Sequence, residues 1–155
     1  MDWIIGLALL VTCIIAIQAL LGSKLPSSFK GGAYVIDGDT IEVNGERIRL
    51  FGMDAPEMGQ SQGPAAKKAL ISMTQNHVVK VYPVDIDRYD RLVARVIRAD
   101  GKDLSEMMVA NGLAVASTRY SKKYLQAQAN ARRNNLGFWA MGGIQDAAAY
   151  RRTAQ

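Results

Sequence analysis

The stretch from Val35 to Glu57, VIDGDTIEVNGERIRLFGMDAPE, decides the fold that this sequence predicts. Apolar and polar residues alternate from Ile41 to Val43 and again from Ile48 to Leu50, on the two sides of the dipeptide Asn44-Gly45. Alternation with a period of two is typical of a half-buried strand, and Asn-Gly is typical of a two-residue hairpin turn. The stretch therefore predicts two antiparallel strands that bury one common face.

Segments downstream of this hairpin alternate between helical and extended patterns. Proline fits the first turn of a helix, and an aspartate followed three residues later by glutamate is a helix-capping signal. By such signals we expect a helix opened by Pro64, strands at His77–Val84 and Leu92–Arg98, a helix capped by Asp103 and ended by Asn111-Gly112, a short strand at Leu113–Ser117, and a last helix from Ser121 to about Asn134. Short, mostly antiparallel strands with added helices predict an α+β fold built on a small barrel.

The composition of the 155 residues is that of a folded domain. Hydrophobic residues make up 49%, and 14 glycines and 4 prolines are too few for a collagen-like or low-complexity chain. A single cysteine excludes an internal disulfide framework, and a single histidine excludes a metal site with two histidine ligands. The net charge of +5 slightly favours a phosphate-rich partner.

Residues 3–21 contain no charged side chain. As a helix they would span about 28 Å, which is close to the hydrocarbon thickness of a bilayer. We therefore expect an uncleaved membrane anchor, a single N-terminal transmembrane helix, in residues 1–21. A cleaved signal peptide is the alternative, although no basic residue precedes the apolar run and no small-residue cleavage site precedes Cys13.

The rest of the chain divides into three parts. Residues 22–30, GSKLPSSFK, are rich in Gly, Pro and Ser and predict a short linker. The folded domain is expected in residues 31–140, and a C-terminal tail in residues 141–155. We assign no chemistry to this tail, and we expect its Arg151-Arg152 pair to be solvated, with a contribution to non-specific phosphate binding as the alternative.

Residues suited to catalysis cluster in three short pieces, Asp37–Thr40, Arg49–Glu57 and Asp87–Arg91. Two carboxylates and a main-chain carbonyl suit a hard cation such as Ca²⁺, which takes oxygen ligands. Arginines beside that cation suit a phosphodiester, because the planar guanidinium pairs with two phosphate oxygens. A further carboxylate could deprotonate a water. Each piece alone is also a common turn or a solvated loop.

Taken in order, the segments VIDGDTIEV, RLFGMDAPE, DRYDRLVARV, NGLAVA and LGFW resemble the staphylococcal nuclease (thermonuclease) family. The resemblance covers about Tyr34 to Trp139. It implies an OB-fold, a five-stranded β-barrel with about three helices. It also implies Ca²⁺-dependent hydrolysis of DNA and RNA with low sequence specificity, which leaves 3′-phosphate ends. We expect a monomer without a protein partner.

The resemblance assigns roles to individual residues of this sequence. The implied catalytic residues are Arg49, Glu57 and Arg91, of which Glu57 handles the attacking water. The implied Ca²⁺ ligands are Asp39, Asp54 and the main-chain carbonyl of Ala55. The implied nucleotide-binding residues are Arg88, Tyr89 and Tyr120. Asp37 and Asp87 also match family positions, and we interpret them as turn and loop residues that support the site.

The sequence departs from the family pattern at three positions. Ala55 replaces the more usual threonine, which need not remove a main-chain ligand. Asp90 stands before Arg91 where the family generally has glycine, so it brings a negative charge and a backbone conformation that glycine adopts freely. Thr118 lies where some relatives carry a second nucleotide-stacking tyrosine. These departures affect substrate affinity and base preference rather than the class of reaction.

Two other functions are compatible with the sequence. One is a non-catalytic OB-fold module that binds nucleic acid and is tethered to the membrane, which the joint presence of Arg49, Glu57 and Arg91 disfavours. The other is an anchored structural protein, whose affinity for nucleic acid would not depend on salt.

Two arguments place the folded domain on opposite sides of the membrane. Lys24 and Lys30 follow the apolar run while no Lys or Arg precedes it, which favours a cytoplasmic domain. A nuclease that needs abundant Ca²⁺ and spares its own genome is better placed outside. Because two lysines are few, we expect the domain outside the cytoplasm, with secretion after signal cleavage as a further alternative.

Overall fold

A computed structural model describes residues 25–119 and 121–154 of the protein. The membrane anchor predicted for residues 1–21 and the predicted nucleotide contact Tyr120 lie outside these residues. None of the helices in the described ranges combines the length and the apolar character needed to cross a membrane.

Short strands and helices alternate along the described chain. The strands are β1 Phe29–Gly32, β2 Tyr34–Val35, β3 Thr40–Val43, β4 Glu46–Leu50, β5 Met53–Asp54, β6 Val78–Ile86, β7 Leu92–Arg98 and β8 Val115–Ala116. The helices are α1 Gly63–Thr74, α2 Leu104–Ala110, α3 Leu125–Arg133 and α4 Ala147–Thr153, with a 3₁₀ helix at Gly137–Met141 between α3 and α4.

Six of the strands form one sheet in the order β1-β6-β7-β4-β3-β2. The pair β4–β7 is parallel and the other neighbours are antiparallel. Residues of β1 and β3, which are not neighbours in this order, also contact each other, so the sheet is nearly closed into a barrel. The remaining strands, β5 and β8, pair separately. The predicted α+β barrel is confirmed, and the arrangement fits an OB-fold.

The barrel differs in detail from the expectation of five strands and about three helices. The described residues contain a six-stranded sheet and four α-helices. Strand β1 begins at Phe29, inside the expected linker of residues 22–30, because Phe29–Gly32 pair with Val78–Val81. Helix α4 lies in the expected C-terminal tail, where the Asp146 side chain accepts a hydrogen bond from the Ala149 N–H and caps the helix.

The predicted hairpin is formed by β3 and β4. Val43 pairs with Glu46, so the turn contains only Asn44 and Gly45, whose φ angles of 55° and 84° are those of a type I′ turn. The alternating apolar residues of both strands point into the core, where Ile41, Val43, Ile48 and Leu50 are all at most 1% exposed. The hairpin therefore supplies one wall of the barrel core.

Helix α3 begins later than the sequence predicts. Ser121 was expected to cap this helix, but its hydroxyl accepts the Lys123 N–H at 3.0 Å in the preceding turn, and the helix begins at Leu125. Tyr124 lies between this turn and the start of the helix. Its ring is fully buried, and its hydroxyl donates to Asp103 at 2.9 Å. The burial of one aromatic side chain thus outweighs the local capping signal.

Two glycines explain how the NGLAVA and LGFW segments meet. Gly112 and Gly137 have φ angles of 68° and 54°. A Cβ on Gly112 would lie 2.0 Å from the Leu136 carbonyl oxygen, and one on Gly137 would lie 2.3 Å from that of Asn111. The Phe138 N–H donates to the Gly112 carbonyl at 2.9 Å. This close approach places Phe138 in the core.

Candidate active site

Three adjacent strands bring the predicted arginines together. Arg49 on β4 pairs with Thr40 on β3 and with Val93 on β7. Arg91 precedes Val93 by two residues, so both arginines lie at the same end of the sheet. They line an open cleft of about 620 Å³ together with the predicted residues Asp39, Asp54, Glu57, Arg88 and Tyr89.

Arg49 lies between two carboxylates. Its guanidinium is 3.0 Å from Asp39 Oδ2 and also donates to Asp54 Oδ1. Burial raises the pKa of Asp39 to about 6, although Arg49 opposes this shift. Burial alone would lower the pKa of Arg49, but the two carboxylates hold it above its usual value. The guanidinium therefore supplies the positive charge that these two acids need.

The predicted Ca²⁺ ligands form a donor set that fits a hydrated cation. In residues 25–119 and 121–154, no three His, Cys, Asp or Glu side chains are grouped closely enough to form a metal cluster. The buried Asp39 Oδ2, however, accepts no hydrogen bond of normal geometry from the described residues, despite the nearby Arg49. A buried oxygen acceptor beside a second carboxylate, Asp54, suits Ca²⁺ with several water ligands.

Close packing at Gly38 joins the two segments that carry these ligands. A Cβ on Gly38 would lie 2.8 Å from the Ala55 Cβ and 2.9 Å from the Ala66 Cβ of α1. The Asp37 side chain accepts the Asp39 N–H at 3.0 Å, which supports its interpretation as a turn residue. The Asp37–Asp39 turn is therefore fixed against Ala55, the predicted main-chain ligand, which is itself buried.

Glu57 lies in the loop between β5 and α1, with 28% of its side chain exposed. Its N–H donates to Gln60 Oε1 at 2.7 Å. A Cβ on Gly63, the first residue of α1, would lie 2.0 Å from the Glu57 carbonyl oxygen, so the helix end packs directly on this loop. This packing fixes the backbone of Glu57 while its carboxylate faces the cleft.

The loop after β6 is organised by Asp87. Its Oδ1 accepts the N–H groups of Tyr89 at 2.9 Å and of Arg91 at 3.0 Å. Its Oδ2 accepts the Arg91 guanidinium, whose other end donates to Thr40 at 3.2 Å. Burial would raise the pKa of Asp87, but the hydrogen bonds from Tyr89 and Arg91 lower it below its usual value. Asp87 thus orients Arg91, as expected of a supporting residue.

The predicted nucleotide-binding residues form an exposed pair at the rim of the cleft. Arg88 donates to the Tyr89 hydroxyl at 2.6 Å, and its guanidinium carbon lies 4.7 Å from the centre of the Tyr89 ring. Asp90 adopts the expected left-handed conformation, with φ 57°. Its side chain is exposed and forms no ion pair with any of the described residues, because Arg91 pairs with Asp87 instead.

The expectation of a solvated Arg151 is wrong. Its NH1 donates to Glu57 Oε1, and its NH2 lies 3.1 Å from Asp54 Oδ1. Burial disfavours its charge, but the hydrogen bond to Glu57 and the nearby Asp54 hold the pKa of Arg151 above its usual value. The sequence does carry a signal for α4, an aspartate before three alanines, but it carries no local signal for this long-range contact.

Comparisons with known proteins agree with these features. The model of the staphylococcal nuclease homologue family matches residues 47–141. The chain is 30% identical over 167 aligned positions to a micrococcal nuclease of Shigella flexneri. This alignment covers 97% of this chain and 96% of that protein. It is 33% identical over 125 residues to an uncharacterized endonuclease of Haemophilus influenzae. This alignment covers 76% of this chain and 70% of that protein.

A third relative has a different kind of name. The chain is 36% identical over 123 residues to the succinoglycan biosynthesis protein ExoI of Rhizobium meliloti, which covers 70% of this chain. It spans 63% of that relative's own length, which is less than two thirds. The family match includes Arg49, Asp54, Glu57 and Arg91 and ends before Arg151. By this match and by its nearly complete alignment with the Shigella nuclease, the chain belongs to the staphylococcal nuclease homologue family.

Proposed function

We propose that the protein is a monomeric endonuclease that hydrolyses phosphodiester bonds in DNA and RNA with Ca²⁺ and leaves 3′-phosphate ends. One observation carries the proposal: Arg49 and Arg91 converge on a cleft that also contains the carboxylates Asp39, Asp54 and Glu57. Paired arginines are suited to a phosphodiester, and the carboxylates are suited to a cation and to an attacking water. Family membership and the nuclease relatives support the same reaction.

The residues of the cleft would have different roles in the reaction. Asp39, Asp54 and the main-chain carbonyl of Ala55 would hold the cation, which would polarise the phosphate and help to orient the water. Arg49 and Arg91 would bind the phosphate oxygens and stabilise the negative charge that develops on them in the transition state. Arg91 needs no large movement for this, because Asp87 and Thr40 already fix its guanidinium at the cleft.

Glu57 would act as the general base. Its carboxylate would accept a proton from the water as the water oxygen attacks phosphorus. Cleavage to a 3′-phosphate requires that the bond between phosphorus and the 5′ oxygen breaks, with a proton delivered to that oxygen as it leaves. In the free protein Arg151 donates to Glu57 Oε1, so this guanidinium competes with the water for one of the two carboxylate oxygens.

The decisive experiment is hydrolysis of single-stranded DNA and RNA by the purified protein with Ca²⁺, then with excess chelator. We expect cleavage that stops with the chelator and fragments that a 3′-phosphatase modifies. Glu57→Gln is the matched control, because it keeps the shape of the side chain and cannot accept the proton. Binding without cleavage by the wild-type protein would instead identify the non-catalytic binding module.

We also propose that residues 1–21 anchor the protein in a membrane, with the nuclease domain outside the cytoplasm. The support is the uncharged run of residues 3–21. The full chain is then expected in the membrane fraction after alkaline and high-salt washes, and a C-terminal reporter is expected to be active outside the cytoplasm. A mature N-terminus after Leu21 would mean that a signal peptide is cleaved, and a reporter active in the cytoplasm would contradict the proposed orientation.

A further inference from the structure

Arg151 bridges two acids that the proposed reaction assigns to different tasks. One end of its guanidinium donates to Glu57, the proposed base, and the other lies 3.1 Å from Asp54, a proposed cation ligand. About a third of the Arg151 side chain is exposed, and it opens onto the same cleft as Arg49 and Arg91. The contact therefore lies inside the proposed active site.

Helix α4 is held in place by specific contacts. Gln62 and Gln145 exchange two hydrogen bonds, since the Gln145 N–H donates to Gln62 Oε1 at 2.8 Å and the Gln62 N–H donates to Gln145 Oε1 at 2.9 Å. Gln62 also donates to the Gly143 carbonyl at 2.8 Å. Ala147 is 3% exposed, so the first residue of α4 is buried. These contacts present Arg151 to the cleft from a fixed helix.

Arg151 also lies close to the arginine that is expected to bind phosphate. Arg49 and Arg151 both contact the same oxygen, Asp54 Oδ1. Two guanidinium groups that contact one oxygen atom are separated by at most the combined length of two hydrogen bonds. A phosphate group can accept hydrogen bonds from both groups across that distance. A phosphate bound by Arg49 is therefore within reach of Arg151.

The charges of the site indicate when Arg151 would bind a phosphate held by Arg49. Asp39, Asp54 and Glu57 carry three negative charges, which Arg49 and Arg151 compensate only in part. Asp37 beside Asp39 adds to this excess negative charge, and a divalent cation would cancel it. The acids would then need Arg151 less, and the phosphate would attract it more.

We propose that Arg151 is a substrate-binding residue that pairs with Asp54 and Glu57 in the free protein and transfers to the substrate phosphate once the cation is bound. This inference rests on the proposed function. The transfer leaves Glu57 Oε1 as well as Oε2 open to the attacking water when substrate arrives. It predicts opposite effects of Arg151 on the two ligands, because Arg151 competes with the cation and attracts the phosphate.

The test uses Arg151→Ala, with Arg152→Ala as the matched control. Arg152 lies next to Arg151 on α4, is exposed, and its side chain makes no hydrogen bond or ion pair with the described residues. Calorimetry would measure the affinity for Ca²⁺ alone, and then for a deoxynucleoside 3′,5′-bisphosphate in saturating Ca²⁺. Neither measurement requires turnover. Arg151→Lys, which keeps the charge and loses the forked geometry, completes the series.

We expect Arg151→Ala to bind Ca²⁺ alone several-fold more tightly and to bind the bisphosphate about 10-fold more weakly or worse, as for the loss of a charged hydrogen-bond donor. Arg151→Lys should bind the bisphosphate with intermediate affinity, and Arg152→Ala should match the wild type in both measurements. In DNA hydrolysis, Arg151→Ala should raise KM more than it lowers kcat.

Two results would overturn the inference. If Arg151→Ala matched Arg152→Ala for both ligands, the contact would be structural only. If it cleaved faster than the wild type with unchanged bisphosphate affinity, Arg151 would be an autoinhibitory latch rather than a substrate ligand. The proposed function fails separately, when the wild-type protein cleaves no nucleic acid in Ca²⁺, and the two binding measurements still decide the role of Arg151.

Discussion

Arg49 lies between Asp39 and Asp54, so its removal should affect folding as well as the reaction. We expect Arg49→Ala to slow hydrolysis by a factor of about 10³, because a charge-stabilising donor is lost. From the sequence alone we would expect folding to be unchanged, but the structure alters this expectation. Removal of one partner from a buried ion pair costs about 3 to 5 kcal/mol, because the remaining charge has no counter-charge.

Urea unfolding with and without Ca²⁺ would check the effect on stability. The cation should restore part of the lost stability, since it supplies positive charge to the same two acids. Arg47→Ala is the matched control, because Arg47 lies on the same strand with its side chain exposed. Wild-type stability and turnover in Arg49→Ala would contradict both roles of Arg49.

Asp87 is expected to make the loop stability depend on pH. Its pKa is lower in the folded protein than in the unfolded chain, so its contribution is present above the unfolded pKa of about 4 and is lost as the pH falls through the folded pKa. Asp87→Asn should therefore lower the free energy of unfolding by about 1 to 3 kcal/mol at pH 7. The difference from the wild type should shrink as the pH falls below about 4.

Thermal unfolding at pH 7 and pH 3 would measure this difference. Asp85→Asn is the control, because the exposed Asp85 side chain accepts only the neighbouring Ile86 N–H. A deficit of Asp87→Asn that stayed constant across this pH range would mean that the charge of Asp87 is not what stabilises the loop.

Asp90 combines an unfavourable backbone conformation with a negative charge beside the phosphate site. Asp90→Gly and Asp90→Asn both remove the charge, but only glycine also relaxes the positive φ. We expect both variants to lower KM, more at low salt than at high salt, with little change in kcat. Only Asp90→Gly should relieve backbone strain, which is worth up to about 1 kcal/mol. Steady-state kinetics at two ionic strengths tests this, and a salt-independent change would count against it.

At the level of elements, the attachment of α4 depends on Gln62. We expect Gln62→Ala to lose about 1 to 3 kcal/mol of stability, because Gln62 is nearly buried and its amide partners on Gln145 and Gly143 would be left unpaired. The loosened helix should no longer hold Arg151 in the cleft. Gln62→Ala should then share the tighter Ca²⁺ binding expected of Arg151→Ala.

Calorimetry and thermal unfolding would measure the two effects together. Gln126→Ala on α3 is the control, because Gln126 is exposed and donates only to Asn130 within its own helix. If Gln62→Ala lost stability but kept wild-type Ca²⁺ affinity, contacts other than the glutamine pair would hold Arg151 in position.

For the whole molecule, the arginines of the cleft predict salt-dependent binding to single-stranded DNA. If they neutralise about three phosphates, the logarithm of the association constant should fall against the logarithm of salt concentration with a slope of about −2, at ~0.7 per phosphate. Arg88→Ala should weaken binding and reduce the slope by about 0.7. Fluorescence anisotropy in Ca²⁺ with Glu57→Gln, which is expected not to cleave, measures the slope. A slope near zero would favour an anchored structural protein instead.

Features set by neighbouring residues could be predicted from the sequence. The turn at Asn44-Gly45 and the cap at Asp103 depend on a few adjacent residues, and both are as expected. The resemblance to the staphylococcal nuclease family also implied that Arg49 and Arg91 belong to one site, and the parallel pairing of β4 with β7 explains how they meet. Their roles in catalysis remain predictions.

Features set by distant residues could not be predicted in this way. Arg151 reaches Glu57 across 94 residues of sequence, from a helix that the pairing of Gln145 with Gln62 helps to attach. An amide pair of this kind has no periodicity and no local composition signal. The late start of α3 has a similar cause, since it follows from the burial of Tyr124 rather than from the residues around Ser121.

The distance along the chain between Arg151 and its partners has a consequence for protein synthesis. Asp54 precedes Arg151 by 97 residues. At about 5 to 20 residues per second, a ribosome takes roughly 5 to 20 seconds to add them. During that interval the acidic half of the site lacks one of its guanidinium groups, so in the proposed mechanism the nascent chain would attract cations before it could bind substrate with full affinity. If Arg151 binds the substrate phosphate as proposed, full affinity for nucleic acid would therefore arise only when translation has passed α4.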